Sequence, residues 1–424
     1  MFYKLRKIDK RKDGIYFLNE LGYVVKIEKK DYPTVMKYAS SRFLEESMPE
    51  IIRQLADAKI LVFDNYIAKE ELEFDDALVK TDDDKPIYEA PIIAHLSVTN
   101  RCNMNCEYCS VRNIHENSKQ PTLEECKKMI DKLSNWGVFQ IGLTGGEPTV
   151  RKDIVELVRY TASKKVACNL TTNGFAITEK LVDELVDAGL TQVQLSLDSY
   201  KKEEHEKYRT VGSYDRVMKA IDLFLNKGLI VGVDTVVTNE NIDDIDSFIE
   251  FLEKKKVNGL TLLKLKQGDL GLKTFQKLVP EYHKYSDLID RICHYNGNLD
   301  ITLDCGSVCN LCKTLTKEEA KTLHSAGCPA GHTLIHIDCN GDMYPCAGLS
   351  QKQFCFGNLL IDNPKTVWNE NELLKQLRNI KKNITGKCKH CDKINNCRGG
   401  CRAISYSYGN LFGSDESCKY QQVI

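Results

Sequence analysis

Three cysteines stand close together in the segment Cys102-Asn-Met-Asn-Cys106-Glu-Tyr-Cys109, which has a C-x3-C-x2-C spacing. Four thiolates complete the ligand set of a cubane [4Fe–4S] cluster. Three thiolates leave one iron open, and an open iron can chelate a small molecule through an amine and a carboxylate. A zinc loop is the alternative, but structural zinc needs four closed ligands, and no fourth one lies nearby in the sequence. The spacing therefore indicates an iron–sulfur cluster.

The distribution of the other cysteines favours metal binding over disulfides. The chain of 424 residues contains 18 cysteines, with none before residue 102 and thirteen from Cys293 onward. No apolar run approaches the roughly 18 residues that span a bilayer. Residues Met1 to Asp13 lack the apolar stretch of a secretory signal. We therefore expect a cytoplasmic protein, no membrane association, and reduced cysteines that act as ligands.

Charge and length set broad limits on partners and organisation. The 59 basic and 60 acidic residues give a net charge of −1, which argues against a nucleic-acid or membrane-surface partner bound through bulk charge. The length favours about two to three domains. The patterns predict an N-terminal domain at 1–68, a charged linker at 69–88, a central domain at 89–300 and a cysteine-rich domain at 301–424.

The central domain shows near-continuous apolar strands that alternate with helices, a pattern typical of a parallel sheet covered on both faces. The predicted strands are Ile92–Thr99, Val138–Thr144, Val166–Thr171, Gln192–Leu197, Ile230–Val237 and Leu260–Leu265. The predicted helices are Leu123–Asn135, Lys152–Ser163, Thr178–Ala188, Tyr214–Lys227 and Asp243–Lys255. Six such units predict an α/β fold with a partial (β/α)6 TIM-like barrel rather than a closed eightfold barrel. Ligand sites of such folds lie at the carboxyl ends of the strands.

The cysteine triplet follows the first predicted strand, and in spacing and position it resembles the cluster motif of the radical S-adenosylmethionine (SAM) superfamily. The resemblance implies that Cys102, Cys106 and Cys109 hold the cluster and that its open iron binds the methionyl part of SAM. Reduction would then cleave SAM to a 5′-deoxyadenosyl radical. Tyr108 resembles the aromatic residue that packs near the adenine.

Further residues at the strand ends resemble positions that contact SAM in this family. They are Gly145, Gly146, Glu147 and Pro148 after the second strand, Thr172 and Asn173 after the third, and Ser196 and Asp198 after the fourth. By itself the Gly-Gly-Glu-Pro segment would be an ordinary strand-end turn, and its position one unit after the triplet favours the motif for the SAM amino group. Arg209 resembles the arginine that pairs with the SAM carboxylate, a task suited to a guanidinium group. A solvated arginine on a helix surface is the alternative.

Seven C-terminal cysteines resemble the SPASM extension of radical SAM enzymes, which holds two auxiliary [4Fe–4S] clusters. The resemblance implies that Cys328, Cys346 and Cys401 ligate auxiliary cluster I. It implies that Cys388, Cys391, Cys397 and Cys418 ligate auxiliary cluster II, which makes three [4Fe–4S] clusters in all. A pair of zinc knuckles is the alternative.

The sequence does not determine the fourth ligand of auxiliary cluster I. Cys312 is one candidate, Cys339 and Cys355 are weaker ones, and an open iron for a substrate thiolate is another solution. Cys305, Cys309 and Cys312 repeat the C-x3-C-x2-C spacing, but they do not end a parallel strand that the SAM motifs follow. Cys126, Cys168 and Cys293 lie on helix or strand patterns, and we expect them to be buried small hydrophobic residues.

The N-terminal region contains three strand-like runs at 2–8, 14–18 and 23–27, then two helical patterns and an apolar run at 60–63. This order loosely resembles the PqqD-like winged-helix domain, an α+β unit that binds leader peptides by β-augmentation. A plain capping domain is the alternative.

Together the three regions predict an enzyme that oxidatively modifies a ribosomal precursor peptide with a leader sequence. The expected product is a thioether or carbon–carbon cross-link, with an auxiliary cluster accepting one electron and a reductant such as flavodoxin or ferredoxin supplying the first. One alternative is a sulfatase-maturase-like enzyme that generates formylglycine. Another is a non-catalytic iron–sulfur or zinc scaffold.

Overall fold

The computed structural model of the chain describes residues 5–11, 14–19, 24–27, 29–31, 88–109, 119–266, 272–307, 327–416 and 418. Its strands are β1 (Leu5–Arg11), β2 (Gly14–Asn19), β3 (Val24–Ile27), β4 (Ile93–Thr99), β5 (Gln140–Gly145), β6 (Ala167–Thr172), β7 (Gln192–Ser196), β8 (Ile230–Val237), β9 (Gly259–Lys264), β10 (Asp300–Leu303), β11 (Leu334–Ile337), β12 (Asp342–Tyr344) and β13 (Gly357–Asn358). Its α-helices are α1 (Leu123–Trp136), α2 (Ile154–Ser163), α3 (Glu179–Asp187), α4 (Lys202–Tyr208), α5 (Ser213–Asn226), α6 (Ile245–Lys254), α7 (Leu272–Leu278), α8 (Tyr282–Cys293), α9 (Pro364–Glu370), α10 (Glu372–Arg378), α11 (Ile380–Asn383), α12 (Ile394–Cys397) and α13 (Arg402–Ser407). Within these ranges, every helix is too short or too polar to cross a membrane.

Ten strands form one sheet in the order β10-β9-β8-β7-β6-β5-β4-β11-β12-β13. The six strands from β4 to β9 pair in parallel, each with the next in sequence. The predicted partial barrel is therefore confirmed, and its six strands and five predicted helices begin and end within two residues of the predicted positions. The sheet is wider than predicted, because β10 and β11 add a parallel strand on each side of the six.

Helix α1 shows how the sequence sets the helices that cover the sheet. It begins after Thr122, whose side chain accepts a hydrogen bond from the backbone N–H of Glu125, while the Glu125 side chain accepts one from Thr122 N. This capping box satisfies backbone donors that a helix start leaves open. The helix ends at Gly137, which has a φ of 104°. Between these ends, Cys126, Met129, Ile130 and Leu133 recur at helical spacing and are fully buried against the sheet.

The N-terminal strands form a separate three-stranded antiparallel sheet in the order β1-β2-β3. Its strands overlap the three predicted runs. The other predicted elements of this domain, at 48–58 and 60–63, lie outside the described residues. The PqqD-like assignment of residues 1–68 therefore stays a prediction.

The cysteine-rich region is joined to the barrel by strand pairing. Residues Leu334 to Ile337 of β11 pair in parallel with Ile93 to Leu96 of β4, so the sheet is continuous across the domain boundary predicted at residue 300. Trp368 of α9 packs edge-on against Trp136 of α1 with ring centroids 5.5 Å apart. The indole N–H of Trp368 donates to the carbonyl oxygen of Tyr88 at 2.7 Å. Strand pairing and aromatic packing thus hold the two regions together.

Candidate functional site: a cysteine loop at the strand ends

The loop that contains the cysteine triplet leaves β4 and is held against the C-terminal end of α4 and the residues after it. The backbone N–H of Glu107 donates to the carbonyl of Tyr208 at 2.9 Å, and that of Asn105 approaches Thr210 Oγ1 at 3.4 Å. Burial raises the pKa of the Cys106 thiol to about 11, although the charge of Arg209 opposes this shift. The Cys106 thiol is therefore unreactive until a metal displaces its proton.

The donor set of this loop fits a cluster. In the described part of the chain, no three His, Cys, Asp or Glu side chains are gathered closely enough to hold a single metal ion. A cubane cluster spaces its ligands more widely, because each thiolate binds a different iron. Cys102, Cys106 and Cys109 nevertheless lie close enough to influence one another electrostatically.

Gly145 and Gly146 bring the end of β5 into close contact with the backbone that enters the cysteine loop. Gly146 N donates to the carbonyl of Thr99, and Glu147 N donates to that of Arg101, both at 2.8 Å. A Cβ atom on either glycine would overlap these carbonyl groups, and Gly145 also has a φ of 135°. Both glycines are therefore needed for contact between two backbone segments. Contact of the segment with SAM stays a prediction.

The Glu147 carboxylate links the ends of β5 and β6. It is 1% exposed, and it accepts hydrogen bonds from the N–H and hydroxyl of Thr149, from Thr172 Oγ1 and from Asn173 N, at 2.6–3.0 Å. Burial raises the pKa of Glu147, and these donors counteract the increase. Glu147 therefore orients Thr172 and Asn173 at the end of the third barrel strand, which the family resemblance predicts to contact SAM.

Asn173 in turn reaches the cysteine loop. Its side-chain amide donates to Asn103 Oδ1 at 2.9 Å and approaches Cys102 Sγ at 3.9 Å. Its Oδ1 accepts from the backbone N–H of Phe175 at 2.9 Å, which fixes the orientation of the amide. Hydrogen bonds of this kind to a ligand sulfur orient the ligand and influence the potential of an iron–sulfur cluster.

Asp198 and Arg209 form a buried ion pair on the other side of the loop. Arg209 Nη2 lies 3.2 Å from Asp198 Oδ1, Arg209 Nε donates to Asp198 Oδ2, and the Tyr108 hydroxyl donates to the same oxygen. Burial acts to raise the pKa of Asp198, but the Arg209 charge holds it below its usual value. Arg209 is thus a buried residue paired with Asp198, not the solvated surface arginine of the alternative. Its pairing with the SAM carboxylate stays a prediction.

A small pocket opens beside this pair. Its lining includes Tyr108, Asp198, Ser199, Tyr208, Thr238 and Asn241. Asn241 Nδ2 donates to the carbonyls of Asp198 and Val236 at 3.0 and 2.9 Å and so joins the ends of β7 and β8. The sequence analysis missed Thr238 and Asn241, although they follow the carboxyl end of β8 and the strand-end rule applied to the earlier strands would have found them.

C-terminal cysteines from each of the two predicted sets lie close enough to influence one another electrostatically. Burial raises the pKa of Cys346 to about 12, and the charges of Cys328 and Cys401 add to the increase. Cys391 likewise interacts electrostatically with Cys388 and Cys418. The assignment of each set to one cluster stays a prediction.

A turn of unusual backbone conformation separates Cys397 from Cys401. Arg398, Gly399 and Gly400 all have positive φ values, of 54°, 79° and 79°. The Arg398 side chain anchors the turn by donating to the carbonyls of Leu377 and Arg378 at 3.1 and 3.2 Å. Two of these three left-handed residues are glycines, which adopt positive φ values at little cost.

Asp415 connects the two cysteine sets and was not found from the sequence. It is fully buried, its carboxylate accepts from Cys401 N at 3.2 Å, and its carbonyl accepts from Cys418 N at 3.0 Å. Since both cysteines are predicted ligands of different clusters, one residue positions a ligand of each. No local sequence pattern marks this aspartate.

The weaker candidates for the fourth ligand of auxiliary cluster I are engaged elsewhere. Cys339 Sγ donates to the carbonyl of Ser97 at 3.5 Å, and Cys355 Sγ donates to that of Gly357 at 3.4 Å. Cys312 lies outside the described residues. Cys126 and Cys168 are fully buried in the main core, as expected. Cys293 was also expected to be buried, but it is only partly buried, because it ends α8 at the margin of the core.

Comparisons with known proteins find matches for both the barrel and the cysteine-rich region. Residues 96–252 match the radical SAM superfamily, and residues 328–392 match SPASM, an iron–sulfur cluster-binding domain. The mycofactocin maturase MftC of Mycolicibacterium smegmatis is 30% identical over 333 residues, covering 78% of this chain and 83% of that protein. The Fe-coproporphyrin III synthase of Methanosarcina barkeri is 27% identical over 345 residues, covering 76% and 86%. The crystal structure of Streptococcus suis SuiB bound to precursor peptide SuiA is similar in fold, with a TM-score of 0.69, 18% identity, and coverage of 99% and 100%.

A partial barrel with three cysteines after its first strand defines the radical SAM class of enzymes, and this chain belongs to that superfamily. Within it, the chain is one of the members that carry a SPASM region after the barrel. SAM and iron–sulfur clusters are accordingly its cofactors.

Proposed function

We propose that this enzyme oxidatively modifies a ribosomally made precursor peptide and forms a thioether or carbon–carbon cross-link. The main support is the 30% identity to mycofactocin maturase along 83% of that protein. The fold similarity to SuiB, a structure solved with a precursor peptide, supports the same substrate class. When bound, the reduced cluster and SAM supply a 5′-deoxyadenosyl radical that abstracts hydrogen from the substrate.

The residues described above divide this task. Cys102, Cys106 and Cys109 would hold the SAM-binding cluster, and Asn173 would orient Cys102 through the Asn173 amide. The strand-end residues would bind SAM; they are Tyr108, Gly145, Gly146, Glu147, Pro148, Thr172, Asn173, Ser196, Asp198 and Arg209. Two auxiliary clusters would lie in the SPASM region, at Cys328, Cys346 and Cys401 with Cys312 as a candidate fourth ligand, and at Cys388, Cys391, Cys397 and Cys418.

The N-terminal sheet is the proposed binding site for the leader of the peptide. Among the described residues, β1 and β3 each pair on one side only, because β2 lies between them. A strand edge of this kind can pair with an extended peptide through backbone hydrogen bonds. Deletion of residues 1–85 should abolish leader-dependent processing, whereas a formylglycine-generating activity would be largely unaffected.

The cofactors are tested with protein reconstituted under anaerobic conditions. We expect about twelve iron atoms per chain from three four-iron clusters and 5′-deoxyadenosine release with SAM and dithionite. Replacement of Cys102, Cys106 and Cys109 by alanine should abolish that release, and Cys293→Ala, on α8, is the matched control. Zinc in place of iron would support the scaffold alternative and contradict the proposal.

The substrate class is tested by mass spectrometry of any short candidate peptide encoded near the gene, after expression with and without this enzyme. Loss of two hydrogen atoms from the peptide supports a cross-link, and fragmentation of the product locates it. An unchanged peptide mass with active SAM cleavage would contradict the proposal. It would redirect the search to small molecules, the substrate class that the Fe-coproporphyrin III synthase relative suggests.

A further inference from the structure

The face of the sheet that points into the barrel is polar on three neighbouring strands. On β6, β7 and β8, five of the six residues that flank Asn169, Gln194 and Asp234 belong to the main hydrophobic core with the covering helices. They are Cys168, Leu170, Val193, Leu195 and Val233, and the sixth, Thr235, is fully buried. Because side chains alternate across a strand, Asn169, Gln194 and Asp234 point to the opposite face, into the barrel.

Two of these side chains have buried oxygen atoms with no hydrogen-bond partner in the described structure. They are Asn169 Oδ1 and Gln194 Oε1, and Asn169 as a residue is only 5% exposed. Buried polar atoms without a partner are uncommon in folded proteins, because leaving them unpaired is costly. Both atoms are acceptors, so the group that would satisfy them is a hydrogen-bond donor.

Asp234 adds a third acceptor on the same face. It lies in register with Ser196 of β7 and Thr261 of β9, and the Thr261 side chain donates a hydrogen bond to it. The charged groups that influence it are Arg209 and Asp198, and Arg209 already forms the ion pair with Asp198. Asp234 therefore lies near a cation that is already paired with another carboxylate. Burial raises its pKa to about 6, which suits a group that gains a proton near neutral pH.

We propose that Asn169, Gln194 and Asp234 form a subsite inside the barrel for a hydrogen-bond-donating side chain of the peptide, and that Asp234 accepts the proton which this side chain loses. The inference rests on the proposed function and names the part of the substrate that the barrel interior binds. The thiol of a cysteine to be joined in a thioether cross-link is the matching chemistry.

The proton balance of a cross-link requires such an acceptor. When a donor group X–H is joined to a carbon C–H, both of these bonds break and an X–C bond forms. One hydrogen leaves as an atom to the SAM-derived radical, one electron leaves to an oxidant of the iron–sulfur cluster class, and one proton remains. The carboxylate of Asp234 takes that proton.

The test compares three variants in the full-length, reconstituted enzyme. Asp234→Asn keeps the shape of the side chain but cannot accept the proton, so product formed per 5′-deoxyadenosine released should fall about 100-fold or more. Asn169→Leu removes an acceptor and should raise KM for the peptide several-fold with kcat within about twofold. Asp300→Asn, at an exposed position of β10, is the matched control. It should change neither the product formed per 5′-deoxyadenosine nor the KM for the peptide.

A binding measurement supplies a readout that does not depend on turnover. The fluorescein-labelled precursor peptide is titrated against enzyme with SAM and no reductant, and Asn169→Leu should weaken its binding as much as it raises KM. If Asp234→Asn proves unfolded by circular dichroism, this measurement with Asn169→Leu and Gln194→Leu decides the proposal.

The outcomes separate the inference from the proposed function. Absence of any peptide product from the wild-type enzyme would contradict the proposed function itself. If the wild-type enzyme forms a product and Asp234→Asn forms as much product per 5′-deoxyadenosine released, only the subsite would be overturned. Weaker SAM binding by Asp234→Asn, with unchanged product per 5′-deoxyadenosine released, would also overturn the subsite. The Asp234 carboxylate would then contact SAM rather than the peptide.

Discussion

At the scale of single residues, buried carboxylates dominate the site, and each has a different environment. Glu147 accepts four hydrogen bonds, Asp198 is paired with Arg209, and the partly buried Asp234 accepts a hydrogen bond from the Thr261 side chain. The sequence analysis identified Glu147 and Asp198 by their positions at strand ends. It could not identify Asp234, because one polar residue within an apolar strand is explained only by the face to which it points.

The elevated pKa of Asp234 predicts how stability depends on pH. The folded protein holds this proton up to about pH 6, whereas an unfolded aspartic acid releases it near 3.8, so this contribution to stability is lost as pH rises through 6. Asp234→Asn removes that loss and should stabilise the protein at pH 8 by up to about 3 kcal/mol. The gain should shrink toward pH 5. Thermal unfolding of the reconstituted protein across this range measures the difference, and a gain independent of pH would contradict the assignment.

Glu147→Gln should destabilise the protein by about 2 to 3 kcal/mol, because an NH2 group replaces an oxygen that accepts hydrogen bonds from buried donors. Chemical denaturation followed by circular dichroism measures this change. Glu156→Gln on α2 is the control. Its carboxylate lies at the surface 3.2 Å from Lys127 Nζ, so we expect a change within about 0.5 kcal/mol. Equal effects of the two substitutions would show that the Glu147 network has no special importance.

At the scale of elements, the six barrel strands could be predicted because their apolar runs and the helical periodicity between them are both local patterns. The pairing of β11 with β4 could not be predicted from such patterns. Leu334 to Ile337 form a run of four residues that includes a histidine, and their partner strand lies more than 200 residues earlier. The left-handed turn after Cys397 could not be predicted either, because an arginine such as Arg398 does not indicate a positive φ.

That turn predicts a specific effect of Gly399→Ala. A Cβ atom at Gly399 would overlap Ile384 Cδ1 and would lie 2.9 Å from Arg402 Nη2, in a backbone conformation that already disfavours alanine. We expect a loss of about 1 to 3 kcal/mol from the backbone alone, with added loss from the overlap and fewer iron atoms retained per chain. Gly409→Ala is a matched control with a φ of 94° and no atom within 4 Å. Iron analysis should show a full complement in that variant, and equal iron loss in both would contradict this explanation.

At the scale of the whole molecule, the barrel and the cysteine-rich region share one sheet and one hydrophobic core. Leu374 and Leu377 of α10 belong to the same buried cluster as the barrel strands. Trp368 is fully buried at this junction, and the Arg378 guanidinium lies 4.2 Å from the centre of its ring. Composition alone suggested separate units, because the cysteine content changes abruptly near residue 300.

Trp368→Ala should therefore destabilise both regions together. Loss of a buried tryptophan costs about 3 to 5 kcal/mol, and here the Tyr88 carbonyl also loses its donor. Helix content is followed by circular dichroism and the clusters by their absorbance. Both signals should be lost in one coincident transition, at a lower temperature than in the wild-type protein. Ile361→Ala, at a side chain 80% exposed, should leave the midpoint unchanged. Two separated transitions would show that the regions unfold independently.

The place of β4 within the sheet has a consequence for assembly in the cell. In a six-stranded partial barrel this strand would be an edge, with a row of unpaired backbone groups available to other chains. Here β11 covers that edge, so β4 has a neighbour on each side. A chain in which β11 is missing would leave the strand that precedes Cys102 unprotected. We therefore expect a chain that lacks β11 to accumulate in cells as aggregates rather than as a folded barrel.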